Sequence, residues 1–583
     1  MKKKLLTILI VSALCVALLA AGCAPAAAPA EEAAADYEPA YDMADSMQDA
    51  PAYEAAAEEP AAEEAPAADE PAMEAPAAET REESADDMAF DGNYEPEWEE
   101  EPPWETQQPI GTEEYDGAVE NAFVSPLQFP LSTFSVDVDT ASYSNIRRYL
   151  NDGWLPPADA VRVEECINYF DYDYPAVYGS DPIGVNVTIS DCPWNVGRAL
   201  ARVTLQAKDL DLSEKPDGNL VFLLDVSGSM DNADKLPLVK SALSMLTENL
   251  TNRDRVSIVV YAGASGLVLD GCSGANTADI QFALDRLSAG GSTAGGQGIE
   301  LAYRVAEHYF IEGGNNRVIL CTDGDFNVGP SSTGELERLI EKKRESGVFL
   351  SVLGFGDGNT KDNKMETLAD KGNGNYAYID SLMEAKKVLV NEMSSTLYTV
   401  AKDVKIHVEF NSAAVKEYRL VGYDNRRLNA EDFNDDKKDA GEMGAGHTVT
   451  AFYEIILHGS PGSDDVDDLV FQDEGDEQFA PAPPPADDWM YVKTRYKLPD
   501  SDTSQLMTQM AGSANYTASP DENYRFATAA AEFALILKDS AYQGDASFES
   551  LIKRAKGAKG FDEDGYRAQF IQLAELAWQL YKY

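Results

Sequence analysis

The sequence predicts an α/β fold: a doubly wound, mostly parallel sheet inserted in a β-rich domain, with a C-terminal helical region. Three observations lead to this prediction. Between about residues 219 and 398, short continuous apolar runs alternate with amphipathic stretches, as in a parallel sheet covered by helices. Strand-like runs lie on both sides of that segment, which indicates that they pair across it. Beyond residue 520, apolar residues recur at helical spacing.

Residues 1–23 have the pattern of an export signal. Three lysines precede an apolar run that ends in L-A-A-G-C at Cys23. This ending resembles the signal of bacterial lipoproteins, in which the cysteine becomes the lipidated first residue, although Ala20 stands where a larger aliphatic residue is commoner. An ordinary cleaved signal or an uncleaved anchor is the alternative. No later segment has about 18 consecutive apolar residues, so we expect a lipid-anchored, extracytoplasmic protein at the cell membrane or outer envelope.

Residues 24–112 consist mainly of Ala, Glu, Pro and Asp. Such a segment buries too little apolar surface to offset its loss of conformational entropy, so we expect a disordered acidic stalk. The whole chain has 583 residues and a net charge of -56. Phosphate binding requires basic clusters, so this charge argues against nucleic acid as a partner. Its simplest consequence is solubility.

Residues 126–210 form the predicted N-terminal part of the β-rich domain. Alternating apolar and polar side chains over 132–139 predict a half-exposed strand with Phe134 facing the core. Asp137 and Asp139 would share the opposite face, where two carboxylates are a candidate second cation site. We favour solvated side chains near the N-terminus of the next helix. The other elements predicted here are a helix over 143–150 with Thr140 as its N-cap, a helix over 159–169, and strands over 183–189 and 200–207.

Residues 219–398 form the predicted doubly wound sheet and its helices. The apolar runs over 220–224 and 317–322 have the continuous pattern of strands that are buried on both faces. Two further strands are predicted over 255–261 and 349–355, and helices over 236–250, 280–287, 297–310, 335–345 and 382–397.

Polar side chains follow the two most apolar runs, where each strand would end. Asp225, Ser227 and Ser229 follow the first run in the sequence D-V-S-G-S, and Asp323 follows the second. Thr293 lies between them in a glycine-rich loop, G-G-S-T-A-G-G. Open α/β sheets bind ligands at the carboxyl ends of their strands, and carboxylate and hydroxyl oxygens suit Mg²⁺. The sequence therefore predicts a divalent-cation site at this edge of the sheet.

These five positions resemble the metal-ion-dependent adhesion site of von Willebrand factor type A domains. The resemblance implies that the two serines and Thr293 contact a divalent cation and that Asp225 and Asp323 position it, partly through water. It also implies that an acidic group of a protein ligand completes the shell. Mg²⁺ is the expected ion, with Mn²⁺ or Ca²⁺ as alternatives. A degenerate domain that folds without metal is the competing interpretation, and Asp325 is interpreted as a solvated loop acid.

Residues 399–583 complete the β-rich domain and carry the C-terminal helices. The acids of the 432–447 loop do not have the spacing of an EF-hand, so we interpret them as solvated rather than as a Ca²⁺ site. This region and residues 131–150 resemble the terminal regions of a bacterial family of A-domain lipoproteins. Strands are predicted over 404–410, 418–423, 448–458 and 489–496, and helices over 522–537, 547–558 and 566–581.

The expected function is that of a membrane-anchored binding protein that engages a protein partner through the cation site. An adaptor or scaffold in an envelope complex is the alternative, and a hydrolase is less favoured. The four histidines form no H-E-x-x-H motif, and neither a G-x-S-x-G elbow nor a P-loop occurs, so we expect no enzyme. The absence of a C-x-x-C pair argues against a thiolate zinc site, and the sequence leaves open whether Cys166 and Cys192 are bridged.

Overall fold

A computed structural model of the chain describes most of the sequence after the stalk. All described residues lie in the second of two compact units, Glu100–Tyr583. The predicted signal, Cys23 and the stalk lie outside them. Within the part of the chain that is described, no helix is both long and apolar enough to cross a membrane. The described residues are 113–115, 117–209, 215–262, 264–291, 295–324, 333–357, 361–438, 440–460 and 487–582.

The described residues form three β-sheets and a set of helices. In chain order the strands are β1 Leu131–Ser135, β2 Ile183–Asp191, β3 Ala199–Ala207, β4 Gly218–Asp225, β5 Arg255–Ala262, β6 Ala264–Ser273, β7 Asn315–Thr322, β8 Val348–Phe355, β9 Tyr376–Ile379, β10 Thr399–Phe410, β11 Val415–Val421, β12 Gly441–Gly444, β13 Thr448–Leu457, β14 Asp488–Lys497 and β15 Ser504–Gly512. The α-helices are α1 Ala141–Asn151, α2 Val163–Asn168, α3 Leu236–Thr247, α4 Thr277–Asp285, α5 Gly295–His308, α6 Thr333–Arg344, α7 Asp362–Lys371, α8 Leu382–Lys386, α9 Met393–Leu397, α10 Glu522–Leu537, α11 Phe548–Gly557 and α12 Tyr566–Tyr581.

The central sheet has the strand order β6-β5-β4-β7-β8-β9. Only β6 pairs antiparallel with its neighbour; the other pairings are parallel. Every residue of β4 and β7 is buried, in agreement with the apolar runs that both strands contain. Separate apolar cores lie on the two faces of this sheet. The structure confirms the predicted doubly wound sheet and places its change of strand order between β4 and β7.

The β-rich part is built from strands on both sides of the central sheet in sequence. One sheet has the order β11-β13-β3-β2, and the other has β1-β10-β14-β15 with β12 beside β10. Strand β3 precedes the central domain, and β13 follows it; they pair antiparallel from Gln206–Thr448 to Ala199–Ile455. Strands β1 and β10 pair across the same interval. The central domain is therefore an insertion, as predicted.

The helices from the two ends of the described chain share one core. Helices α10, α11 and α12 pack with α1 and α2 through aromatic rings, including Tyr143, Tyr169, Phe526 and Phe570. Helices α10 and α12 have the predicted bounds. The C-terminal helices therefore do more than cap the β-rich sheets, because they also hold the N-terminal helices.

Several predicted elements differ from the observed ones. The single helix predicted over 382–397 is divided into α8, a wider π-type turn at Lys387–Asn391, and α9. Thr140 stands at the N-cap position of α1, but its side chain accepts no capping hydrogen bond. Strands β6, β9, β12 and β15 and helix α7 were not predicted. Strands β9 and β12 have only four residues each, and the other three elements mix polar and apolar residues.

The prediction that Asp137 and Asp139 are solvated is wrong. Their residues are only 4% and 5% exposed, and both carboxylates pair with Arg426, at 3.1 and 3.2 Å. Glu366 of α7 pairs with the same guanidinium at 2.7 Å. Burial raises the pKa of Asp139. Because the Arg426 guanidinium already contacts both carboxylates, the structure gives the second cation site no support.

The acidic 432–447 loop is more ordered than the prediction of a solvated loop implies. Lys405 Nζ donates to the backbone carbonyls of Asp432 and Asp435 at 3.1 and 2.6 Å. Asp436, which remains exposed, pairs with Arg495 at 2.8 Å. The loop is therefore tied to the five-stranded sheet by the side chains of Lys405 and Arg495.

The cysteines of the described region are free thiols. Cys166 and Cys192 are both buried in the helical core and are not bridged. Burial raises the pKa of both thiols, which keeps them protonated and unreactive.

Candidate functional site

Asp225 is the last residue of β4 and lies at the carboxyl edge of the central sheet. Strand β4 runs between β5 and β7, parallel to both. Asp225 is 0% exposed because the neighbouring strands and the following turn enclose it. The apolar run over 220–224 directly precedes it and is buried between the neighbouring strands. The apolar run therefore determines both the strand and the position of the acid.

The D-V-S-G-S turn directs two hydroxyl groups to one point. Asp225 Oδ1 accepts a hydrogen bond from the Ser227 backbone N–H at 2.8 Å. The hydroxyl oxygens of Ser227 and Ser229 lie 3.1 Å apart. Ser227 is buried and Ser229 is exposed, while Met230 anchors the turn in the apolar core. The turn thus presents paired oxygen donors, one of them open to solvent.

The second carboxylate oxygen of Asp225 differs from the first in its hydrogen bonding. Oδ2 is buried and has no hydrogen bond of normal geometry among the described residues. Burial raises the pKa of Asp225, against the hydrogen bonds from Ser227; the nearby negative charge of Asp323 raises it further, and the Tyr261 hydroxyl lies near enough to lower it. A buried carboxylate oxygen without a hydrogen bond of normal geometry, set among other oxygen donors, fits a hard cation.

Asp323 lies beside Asp225 on the neighbouring strand. Strand β7 pairs with β4 in the register Leu224–Cys321, so the residue after Thr322 lies at the same edge as the end of β4. Asp323 is 1% exposed, and its Oδ2 accepts a hydrogen bond from Lys235 Nζ at 2.9 Å. The structure therefore places Asp225 and Asp323 at the same edge of the central sheet.

The glycine-rich loop is hydrogen-bonded to the D-V-S-G-S turn. The Gly290 N–H donates to the carbonyl of Val226 at 2.8 Å, and the Gly228 N–H donates to the carbonyl of Gly291 at 3.1 Å. Gly291 has a φ of 91°, a conformation that favours glycine. Thr293, two residues further on, lies outside the described residues, as does Asp325. The loop that carries Thr293 thus begins at the site.

Three family models match this chain. The model of the von Willebrand factor type A domain matches residues 219–392, and a model described as von Willebrand factor matches 109–202. A model described as "Uncharacterized protein YfbK, C-terminal" matches 395–580. The protein YfbK of Escherichia coli (strain K12) is 45% identical over 465 residues, which are 79% of this chain and 80% of that protein. The chain belongs to the YfbK family. The predicted type A domain and the predicted kinship of the C-terminal region are therefore confirmed, whereas the lipid anchor stays a prediction.

More distant relatives share less of the chain than the YfbK protein does. A Synechocystis protein described as "Uncharacterized protein sll0103" is 32% identical over 32% of this chain and 43% of its own length. Inter-alpha-trypsin inhibitor heavy chain H3 of Mesocricetus auratus is 25% identical over 41% of this chain and 29% of its own length.

Among solved structures, the von Willebrand factor type A protein from Catenulispora acidiphila matches with a TM-score of 0.36 and 17% identity. It covers 65% of this chain and 87% of that one. BatB from Bacteroides thetaiotaomicron matches with a TM-score of 0.26 and 24% identity, over 30% of this chain and 97% of that one. Structural overlap this low carries no information about function.

Lys235 is the site residue that sequence reasoning missed in this member of the YfbK family. Its ion pair with Asp323 joins residues 88 positions apart, so no local pattern shows it. One local signal was present: a lysine stands directly before a helix, where a cation opposes the helix dipole.

Proposed function

We propose that the protein is a membrane-anchored, extracytoplasmic binding protein that engages an acidic side chain of a protein partner through a divalent cation. Asp225, Ser227, Ser229, Thr293 and Asp323 would hold the cation. Type A domains mediate protein interactions, often through such an ion. The observation that carries the proposal is the buried Oδ2 of Asp225, which lacks a hydrogen bond of normal geometry beside a second carboxylate and two hydroxyls.

The described residues would have different roles in such a site. The Ser227 N–H holds one oxygen of Asp225, and the other oxygen has no hydrogen bond of normal geometry among the described residues. Ser229, being exposed, leaves the outer side of the site open to a partner. A bound divalent cation supplies a local positive charge that makes a carboxylate an acceptable ligand on a protein of net charge -56. Mg²⁺ suits two carboxylates combined with hydroxyls, and Mn²⁺ or Ca²⁺ are the alternatives.

We also propose that the site is not catalytic. Ser227 and Ser229 contact each other, and neither is hydrogen-bonded to a histidine among the described residues. His407 instead contacts Thr133, and His458 contacts a backbone carbonyl, both in the β-rich part. Nucleophilic catalysis requires a base within hydrogen-bond reach of the hydroxyl. These histidine contacts therefore favour binding over hydrolysis.

The proposal is tested by Mn²⁺ titration of the full-length protein in detergent micelles, followed by electron paramagnetic resonance. The wild-type protein is expected to bind one Mn²⁺ ion, and Asp225→Asn is expected to weaken binding by more than about tenfold. Asp231→Asn removes the same charge from an exposed position of the neighbouring turn and serves as the control. It is expected to bind as the wild type does.

Two outcomes would contradict the proposal. Equal Mn²⁺ affinity in Asp225→Asn and Asp231→Asn would show that the predicted donors do not hold the ion. A partner cross-linked in the native envelope and retained equally by Asp225→Asn would show that binding uses another surface, as in a scaffold that does not depend on metal.

A further inference from the structure

Lys235 is a buried cation next to the candidate site. Its side chain is 4% exposed, and Nζ donates to Asp323 Oδ2 at 2.9 Å. Burying an ammonium group removes its hydration, and a cation at the start of α3 also opposes the positive end of the helix dipole. Stability alone favours Ser, Thr, Asp or Asn at such a position. The lysine is therefore unfavourable for the helix, and its ion pair with Asp323 indicates a role in the site.

The backbone around Lys235 fixes the direction of its side chain. Gly356, directly after β8, has a φ of 74°, and a Cβ atom there would collide with the Cγ, Cδ and Cε atoms of Lys235. The carbonyl of Gly356 accepts a hydrogen bond from the Tyr378 hydroxyl at 2.7 Å, which holds the backbone at Gly356 in place. The aliphatic stem thus lies against bare backbone, and the ammonium group points to Asp323 rather than to solvent.

The net charge of the cation-loaded site depends on Lys235. Asp225 and Asp323 together carry two negative charges, which equal the positive charge of a divalent cation. The ammonium group of Lys235 cancels one of the two. A loaded site with Lys235 therefore keeps one net positive charge, and a loaded site without it is neutral. A positive site attracts a carboxylate, whereas a neutral one gains much less from the ligand's charge.

We propose that Lys235 is the specificity-determining residue of the site: it lowers the affinity for the cation and leaves a positive charge that selects acidic over neutral ligands. This inference rests on the proposed cation-dependent function. A lysine with a purely structural role gives the opposite expectation. Its loss would then release Asp323 and weaken cation binding, or leave it unchanged.

The test uses Mn²⁺ alone as the first probe of the full-length protein in detergent micelles. Lys235→Met keeps the length of the side chain and removes its charge; it is expected to bind Mn²⁺ about tenfold more tightly than the wild type. Lys240→Met removes a charge from the same helix, where the amine donates to backbone carbonyls, and is expected to change the affinity by less than about twofold. Thermal unfolding followed by circular dichroism checks that each variant is folded. Lys235→Gln, which keeps a donor for Asp323, carries the same expectation and replaces Lys235→Met should that variant not fold.

The second probe is acetate, compared with neutral acetamide, on the Mn²⁺-loaded proteins. Acetate is expected to displace Mn²⁺-bound water, seen as a loss of water-proton relaxation, at several-fold lower concentration in the wild type than in Lys235→Met. Acetamide is expected to act equally on both. Unchanged or weaker Mn²⁺ binding by the Lys235 variants overturns this inference and leaves the proposed function standing. An absence of Mn²⁺ binding by the wild type overturns both.

Discussion

Glu164 lies buried in α2, and no ion pair compensates its charge among the described residues. Its Oε2 accepts the backbone N–H of Tyr423 at 2.8 Å. Burial raises the pKa of Glu164 to about 7, with further contributions from the charges of Asp137 and Asp424. The pKa in the folded state is therefore higher than in the unfolded state, and the folded state binds the proton more tightly. Between these two pKa values, this residue makes the protein more stable as the pH falls.

Glu164→Gln tests this direction of the pH dependence of stability, because the amide oxygen still accepts a hydrogen bond from the Tyr423 N–H but does not titrate. We compare the free energy of unfolding of the variant with that of the wild type at each pH. We expect this difference to favour the variant by about 2 kcal/mol more at pH 8 than at pH 5. Urea denaturation at a series of pH values measures it. Glu248→Gln, at an exposed carboxyl group after α3, should leave the pH profile unchanged. A profile of Glu164→Gln parallel to that of the wild type would show that the carboxyl is not buried as described.

The residues that the sequence located correctly are those whose position depends on their nearest neighbours. Asp225 and Asp323 stand at or directly after the ends of two buried strands, and the apolar runs within those strands mark them in the sequence. Lys235 and Arg426 were missed because their partners are 88 and 289 residues away. Asp137 and Asp139 were placed on a solvated face because alternation specifies two faces of a strand but not what covers the second one.

At the level of elements, Arg147 joins three parts of the chain. It lies in α1, where its residue is 1% exposed, and pairs with Asp380 after β9 at 2.5 Å and with Glu384 of α8 at 2.7 Å. It also donates to Gln569 of α12 at 3.2 Å. An arginine in a short polar helix gives no sign in sequence of such a junction. The sequence likewise gave no sign of the π-type turn after α8, because a continuous helical pattern does not distinguish one turn width from another.

Arg147→Met is expected to lower the free energy of unfolding by about 3–5 kcal/mol, because it leaves two carboxylates buried without their cation. Urea denaturation of the full-length protein measures the loss. The double variant Arg147→Met/Glu384→Leu should recover part of the stability lost, because it removes one of the two stranded charges and replaces it by an apolar side chain. A loss below about 1 kcal/mol in Arg147→Met would be typical of a surface ion pair and would contradict the buried junction.

At the scale of the whole molecule, the insertion of the type A domain was predictable because strands of the same kind flank it. Strand β3 pairs with β13 across the insertion. The central domain is therefore connected to the β-rich part at both of its ends. What the sequence could not show is that the N- and C-terminal helices meet in one core, since each helix alone is only amphipathic.

The whole molecule's position in the cell depends on Cys23, which remains a prediction from the signal sequence. Metabolic labelling with a fatty-acid analogue should label the wild type and Cys15→Ser, whose substitution lies inside the apolar run, but not Cys23→Ser. Each buried CH₂ contributes about 0.8 kcal/mol, so several acyl chains hold the wild type in the membrane fraction. An uncleaved apolar anchor predicts membrane association in all three proteins and fatty-acid label in none. Label retained in Cys23→Ser, or membrane association without any label, would therefore refute the lipid anchor and leave the cation site to be judged by its own experiments.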